Sequence, residues 1–226
     1  MLQVAQLGRA RYGPVWQWQR RCLQRRQRGE IPDQLILVEH EPVITLGRNA
    51  ALDNVLVDEA TLAAYGIELH HIERGGDVTF HGPGQLVGYP IVHLRERGIA
   101  GPVRYVWMLE EVLIEALAEY GVEAFRREKM RGVWTDRGKI AALGVHVSRG
   151  VTMHGFALNV NTNLDYYQLI VPCGLTDRRV TSLSQWCGRE IPLREVEERV
   201  IAAFVRLFGY ESVQRNFDCQ TIERGI

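Results

Sequence analysis

Cysteine is scarce in this chain. Only Cys22, Cys173, Cys187 and Cys219 occur in 226 residues, and no two of them stand as C-x-x-C. No cysteine–histidine cluster has zinc-finger spacing, so structural zinc is set aside. An even cysteine count in a chain this long does not argue for disulfides, and reduced thiols in a cytoplasmic enzyme are the expectation. Long apolar runs are absent too: none approaches the ~18 residues of a membrane span. The N-terminus lacks the apolar core of a signal peptide. Net charge is absent as well, with 27 basic residues against 27 acidic ones. That removes bulk attraction to nucleic acid. Neither a G-x-x-x-x-G-K-[ST] phosphate loop nor a G-x-G-x-x-G dinucleotide fingerprint is present. Acid is missing from the first 29 residues, which hold seven arginines (9, 11, 20, 21, 25, 26 and 28). A mitochondrial presequence, a solvated basic face and a docking patch for an acidic partner are the three readings of that run. The absence of a serine-rich region weighs against the presequence.

What is present is ordinary globular material, 46% hydrophobic and 24% charged, enough for a real core. Pro14–Arg28 reads as an amphipathic helix that Gly29 stops. Leu35–Val38 and Val43–Leu46 read as strands around the Pro42 turn, and Gln85–Leu94 as a third. Val103–Tyr120 is the clearest helix, with Pro102 suited to its first turn and Gly121 to its cap. The strands Val133–Thr135, Lys139–Val147 and Val151–Val160 form a meander across two turns, Asp136-Arg137-Gly138 and Ser148-Arg149-Gly150. A last helix covers Leu193–Phe208. Mixed blocks of strands and helices predict an α+β fold with a mixed, largely antiparallel sheet. No linker or repeat divides the chain, so residues 1–226 are read as a single domain.

Four features carry chemistry. Arg74–Gln85 packs four glycines into twelve residues, a composition that lets backbone N–H groups approach a ligand. Its alternative is a loop that merely turns. Lys139 follows a hairpin turn, where a lysine is ordinarily a surface charge. The strand it opens contains Ala141, Ala142 and Gly144, and these small residues leave room for the wall of an apolar pocket. Gly155 and Ala157 leave similar space in His154–Asn161, and close strand packing is the other explanation of both. Cys173 stands between Pro172 and Gly174, at a bend that presents a side chain. A semi-buried inert thiol and a nucleophile both fit it.

Taken together the motifs resemble a known family. RGGDVTFHGPGQLVGYPI (Arg74–Ile91), GVWTDRGKIAALGVHVSRGVTMHGFALNVN (Gly132–Asn161), VPCGLTDRRVTSL (Val171–Leu183) and EHEPVITLGR (Glu39–Arg48) are similar to blocks of the octanoyltransferases of lipoate biosynthesis. The resemblance spans nearly the full chain, in the family's order. It implies a fold shared with lipoate- and biotin-protein ligases, including a smaller second sheet. It also implies transfer of an octanoyl group from acyl carrier protein to a lysine on the lipoyl domains of 2-oxoacid dehydrogenases or the glycine-cleavage H protein.

By the same resemblance Cys173 is the nucleophile and Lys139 the residue that lowers its pKa. Substrate-binding positions fall on Arg74, Gly75, Gly76, Asp77, Val78, Thr79, Phe80 and His81, on Ala142, Leu143 and Gly144, and on Gly155, Phe156 and Ala157. Phe80 and Met153 depart from the tyrosines expected there. No cofactor, metal, nucleic acid or membrane is expected. Three other readings stay open. One is an ATP-dependent lipoate ligase of the same fold. Another is a carrier-binding module with a structural Cys173. The third is a cysteine hydrolase using His81 or His154.

Overall fold

The computed structural model describes residues 1–128, 130–171 and 179–215, so Cys173 and Cys219 lie outside the described residues. In chain order the elements are β1 (Leu2–Ala10), α1 (Tyr12–Gln27), β2 (Asp33–His40), β3 (Val43–Leu46), α2 (Glu59–Ala64), β4 (Glu68–His71), β5 (Val78–His81) and β6 (Gln85–Ile91). There follow α3 (Gly101–Ala118), β7 (Phe125–Arg127), β8 (Met130–Thr135), β9 (Gly138–Ser148), β10 (Val151–Asn159), α4 (Leu183–Cys187), α5 (Leu193–Leu207) and β11 (Val213–Arg215). Eight strands form one sheet in the order β11-β1-β2-β6-β10-β9-β8-β7, and β4-β3-β5 form a second. Among the described strands of the large sheet only β1 pairs in parallel, with β2 and β11. The expected mixed, largely antiparallel sheet with a smaller companion is therefore present.

The strand period of two sorts β2 between two cores. Leu35 and Leu37 face α3 and α5, while Ile36 and Val38 face α1. All four are fully buried, each worth about 1.5–3 kcal/mol against exposure. The third core lies under the small sheet, around Ile44, Leu46 and Phe80. The hairpin at Ser148-Arg149-Gly150 forms as expected, with Arg149 and Gly150 at φ 48° and 81°. That sense of turn matches the twist of its strands.

Several elements were not foreseen. β1 interleaves Gln3, Gln6 and Arg9 with buried Leu2, Val4 and Ala5, and these polar positions break the alternation that would mark a strand. β5 was read as glycine-rich loop but pairs antiparallel with β3. The arginine-rich start is largely neutralised. Arg9 faces Glu39 at 2.7 Å, Arg11 faces Glu68 at 2.6 Å, Arg20 faces Glu73 at 3.1 Å and Arg25 faces Glu30 at 3.5 Å. Arg26 binds Asp33 at 2.8 Å, and Arg28 also pairs with Glu30. Six of the seven arginines thus have a carboxylate of this chain beside them, so the run is not an uncompensated positive surface.

Asp33 ties the layers together. Its fully buried carboxylate accepts from Arg26 Nε at 2.8 Å, Arg97 Nε at 2.9 Å, the His93 N–H at 3.0 Å and the Tyr210 hydroxyl at 2.8 Å. These donors come from α1, from the chain after β6 and from the chain after α5. Asp33→Ala would leave the Arg26 guanidinium, itself only 7% exposed, without its buried partner. The expected cost is about 3–5 kcal/mol, read as a lower urea midpoint by circular dichroism. A change below about 0.5 kcal/mol, the size of an ordinary surface substitution, would contradict this role.

Candidate active site

A cavity of about 410 Å³ opens between the large sheet and the segment Arg74–Thr79. Its lining includes Val87 and Tyr89 of β6, Gly155, Ala157 and Asn159 of β10, and Ala142 and Gly144 of β9. These positions share a face of the sheet, because Ala157 pairs with both Val87 and Ala142, and Gly155 with Gly144. Small residues there make the floor low. A Cβ at Gly144 would sit 2.8 Å from Gly75 O and 3.0 Å from Arg74 Cδ, so the Arg74–Gly75 chain can cross only over glycine. Gly75 N–H then closes a 2.9 Å hydrogen bond to Val145 O.

The flank is rigidly held. Buried Arg74 donates through Nη2 to Thr45 O at 2.7 Å and to Thr45 Oγ1 at 3.0 Å, which locks the segment to β3. Asp77 accepts from Val78 N–H at 2.7 Å and from Asn54 Nδ2 at 2.8 Å. Thirteen of the fourteen substrate-binding positions expected from the sequence line the cavity. Phe80 does not. Alternation along β5 turns it into the small sheet's core, where it stacks on Tyr166 at 4.6 Å. Met153 likewise packs away from the cavity, in the core beneath α1.

Lys139 reaches the cavity through a local irregularity. Val133 pairs with Ala141 but Trp134 pairs with Lys139, so Ile140 is an extra residue in β9. Ile140 and Ala141 consequently both join the core beneath α3 and α5. Uninterrupted alternation from Gly144 and Ala142 would have turned Ile140 to the cavity and Lys139 to that core. The bulge reverses the phase and re-aims Lys139. Its Nζ lies 5.5 Å from the Trp134 ring centroid. Its backbone holds the returning chain: Lys139 N–H donates to Arg179 O at 2.9 Å, and Lys139 O accepts from Thr181 N–H at 3.0 Å. Arg179 and Val180 also line the cavity.

The opposite end is polar. Gln85 donates through Nε2 to Phe80 O at 3.2 Å and to Asn159 Oδ1 at 3.0 Å. A backbone carbonyl only accepts, so the other end of the amide, Oε1, must face His81 Nδ1 at 2.8 Å. His81 therefore carries its proton on Nδ1, and Nε2 is left as an acceptor. Burial first, then the neighbouring His40, push His81 down to about 3 and keep it neutral. His40 donates from Nδ1 to Ala10 O at 3.0 Å and accepts the Tyr89 hydroxyl at 2.8 Å, and burial lowers it to about 4. His154, at φ 60°, lies 3.6 Å from Glu73. Burial raises the Glu73 carboxyl, but the nearby His154, its own N–H and the hydrogen bond from Arg20 outweigh it and bring it to about 2.

The sequence model of the lipoyl protein ligase A/B catalytic domain matches residues 11–205, a span that holds the whole cavity. The chain belongs to this family. Within the lipoyl protein ligase A/B family, the octanoyltransferase of Alkaliphilus metalliredigens is 50% identical over 214 residues, covering 94% of this chain and 98% of its own. That of Koribacter versatilis is 49% identical over 214 residues, with 93% and 84% covered. Among solved structures, lipoate-protein ligase A bound with ATP superposes with a TM-score of 0.75 at 15% identity, over 96% of this chain and 89% of that one. This last likeness is one of fold.

Sequence reasoning missed several cavity residues: Tyr12, Tyr89, Asn159, Tyr167 and Trp134. They come from five separate elements, and no local motif joins them. The aromatic and amide residues inside the recognised family blocks were the signal available.

The buried histidines set a pH dependence. A histidine that folds with a lowered pKa is stabilising above its unfolded value of ~6.5, and that stability is lost as pH falls toward the folded value. His81 and His40, at about 3 and about 4, give a window opening near pH 6.5. Unfolding free energy should fall by about 1.4 kcal/mol per pH unit for each such histidine below pH 6.5. Urea titrations at successive pH values check this, and His40→Asn should flatten the slope. A slope that is flat between pH 6.5 and 5 would contradict it.

Proposed function

We propose that this protein, acting as one catalytic domain, transfers an octanoyl group from the thioester of acyl carrier protein to a lysine of a lipoyl domain through an acyl thioester on Cys173. The observation that carries this reading is the apolar channel over Ala142, Gly144, Gly155 and Ala157, with Lys139 turned into it by the bulge. Its volume of about 410 Å³ lies in the ~300–1,000 Å³ range of small-molecule sites. The near-full-length likeness to octanoyltransferases supports the same acyl group.

Chain connectivity supports Cys173 as the nucleophile. Val171 N–H donates to Asn54 O at 2.8 Å, and Asn54 holds Asp77 of the cavity flank. Cys173 follows Val171 by two positions, with only Pro172 between them. On the other side Arg179 is bonded to Lys139. One anchor, Arg179, thus lines the cavity, and the other, Val171, is tied to its flank through Asn54.

In the proposed reaction the Cys173 thiolate attacks the donor's thioester carbonyl. The carbon–sulfur bond to the carrier breaks, and the departing thiolate takes a proton from the Lys139 ammonium. The acceptor lysine's amine then attacks acyl-Cys173 and gives its proton to neutral Lys139. Cys173 leaves as thiolate beside the restored ammonium. Exchange between thioesters is nearly isoenergetic and amide formation is downhill, so no nucleotide is consumed. Arg74–Thr79, His81, Leu143 and Phe156 complete the acyl site.

Incubation with octanoyl-acyl carrier protein should add one octanoyl mass, removed by hydroxylamine and mapped to Cys173. Transfer should persist with apyrase and EDTA present. Cys173→Ala should abolish both the adduct and transfer. An active Cys173→Ala enzyme would overturn the covalent route. Transfer that required ATP would favour a ligase.

A further inference from the structure

Gly132 of β8 lies beneath the side chain of Lys139. It stands at φ 132°, a left-handed conformation that favours glycine. A Cβ there would overlap Lys139 Cε, would lie 3.1 Å from Nζ and would stand 2.7 Å from the backbone oxygen of Ala141. The lysine stem could swing away from such a Cβ, but the Ala141 carbonyl is fixed in the strand pair. A Cβ would therefore displace Lys139 and would also strain the β8–β9 pair at Ala141. A second observation fixes the glycine itself. The Gly132 N–H donates to Oε1 of buried Glu110 of α3 at 3.1 Å. The other oxygen, Oε2, accepts from Arg126 Nε at 3.2 Å. Arg126 is separately held by Glu111 at 2.6 Å and by Trp107 O at 2.9 Å.

We infer that Gly132, pinned by Glu110, is a positioning residue: it supplies the bare surface across which Lys139 extends to the reacting atoms. The Ile140 bulge decides which face Lys139 points to, and Gly132 decides how far along that face its ammonium reaches. Trp134, two residues on from Gly132 and on the same side, borders the path. The inference rests on the proton-transfer reading of Lys139 and names what positions it.

A double-mutant cycle on steady-state octanoyl transfer tests it, using octanoyl-acyl carrier protein and a lipoyl domain. Gly132→Ala should lower kcat by ~10-fold or more while the carrier KM stays within about 2-fold, the pattern of a lost transition-state interaction. In the Lys139→Ala background the same change should cost less than about 2-fold, because coupled sites are non-additive. Glu110→Ala should reproduce the kcat loss, and Glu110→Gln, which keeps an acceptor for the Gly132 N–H, should restore transfer. The Glu110 pair decides the matter if Gly132→Ala does not fold, since Arg126 retains Glu111 and Trp107 as partners. Unchanged kcat in Gly132→Ala, or an equal loss with and without Lys139, would overturn the inference. Wild-type transfer by Lys139→Ala alone would instead overturn the reading of Lys139, and this inference with it.

Discussion

One inserted residue governs the site. Without the bulge at Ile140, the pleat would send Lys139 into the core under α3 and α5, and the isoleucine into the cavity. A buried, unpaired ammonium costs several kcal/mol, so the bulge is also the arrangement that folds. The proposed role of Lys139 and stability demand the same phase here. The turn before Lys139 and the strand after it can both remain regular, because the shift is absorbed at one pair of residues.

The rest of the cavity follows from small residues and fixed amides. Glycine and alanine on β9 and β10 lower the floor. The Arg74–Thr45 lock and the Gly75–Val145 hydrogen bond bring the flank down onto it. At the polar end each neutral histidine has its tautomer set by a partner that only accepts, Ala10 O for His40 and Gln85 Oε1 for His81. These two histidines present oriented dipoles without charge of their own.

Much of this was legible in the sequence, for reasons that can be named. Alternate glycine and alanine in a strand signal space, and Ala142, Gly144, Gly155 and Ala157 do line the cavity. The glycine-rich Arg74–Gln85 stretch was read as a backbone that approaches a ligand, and its Gly75 and Gly76 line the cavity. The parity of Phe80 was not legible. Reading β5 as a loop removed the alternation that turns Phe80 toward Tyr166. The bulge was not legible either, because Lys139-Ile140-Ala141 contains nothing that marks an extra residue. The arginine-rich start misled because its neutralising carboxylates, from Glu30 to Glu73, lie in later segments. Pairing across the fold is invisible to a local count of charge. Cys173, named from its Pro-Cys-Gly setting, lies outside the described residues.

The central claim is that Lys139 acts on Cys173. Its most direct test is the thiolate ultraviolet absorbance of Cys173 against pH, with Cys22, Cys187 and Cys219 replaced by serine. An unperturbed thiol titrates near ~8.5, and a neighbouring ammonium lowers that value. The account predicts a midpoint clearly below this in the parent enzyme and a rise of at least about one unit in Lys139→Ala. Identical titration curves in the two proteins would contradict it.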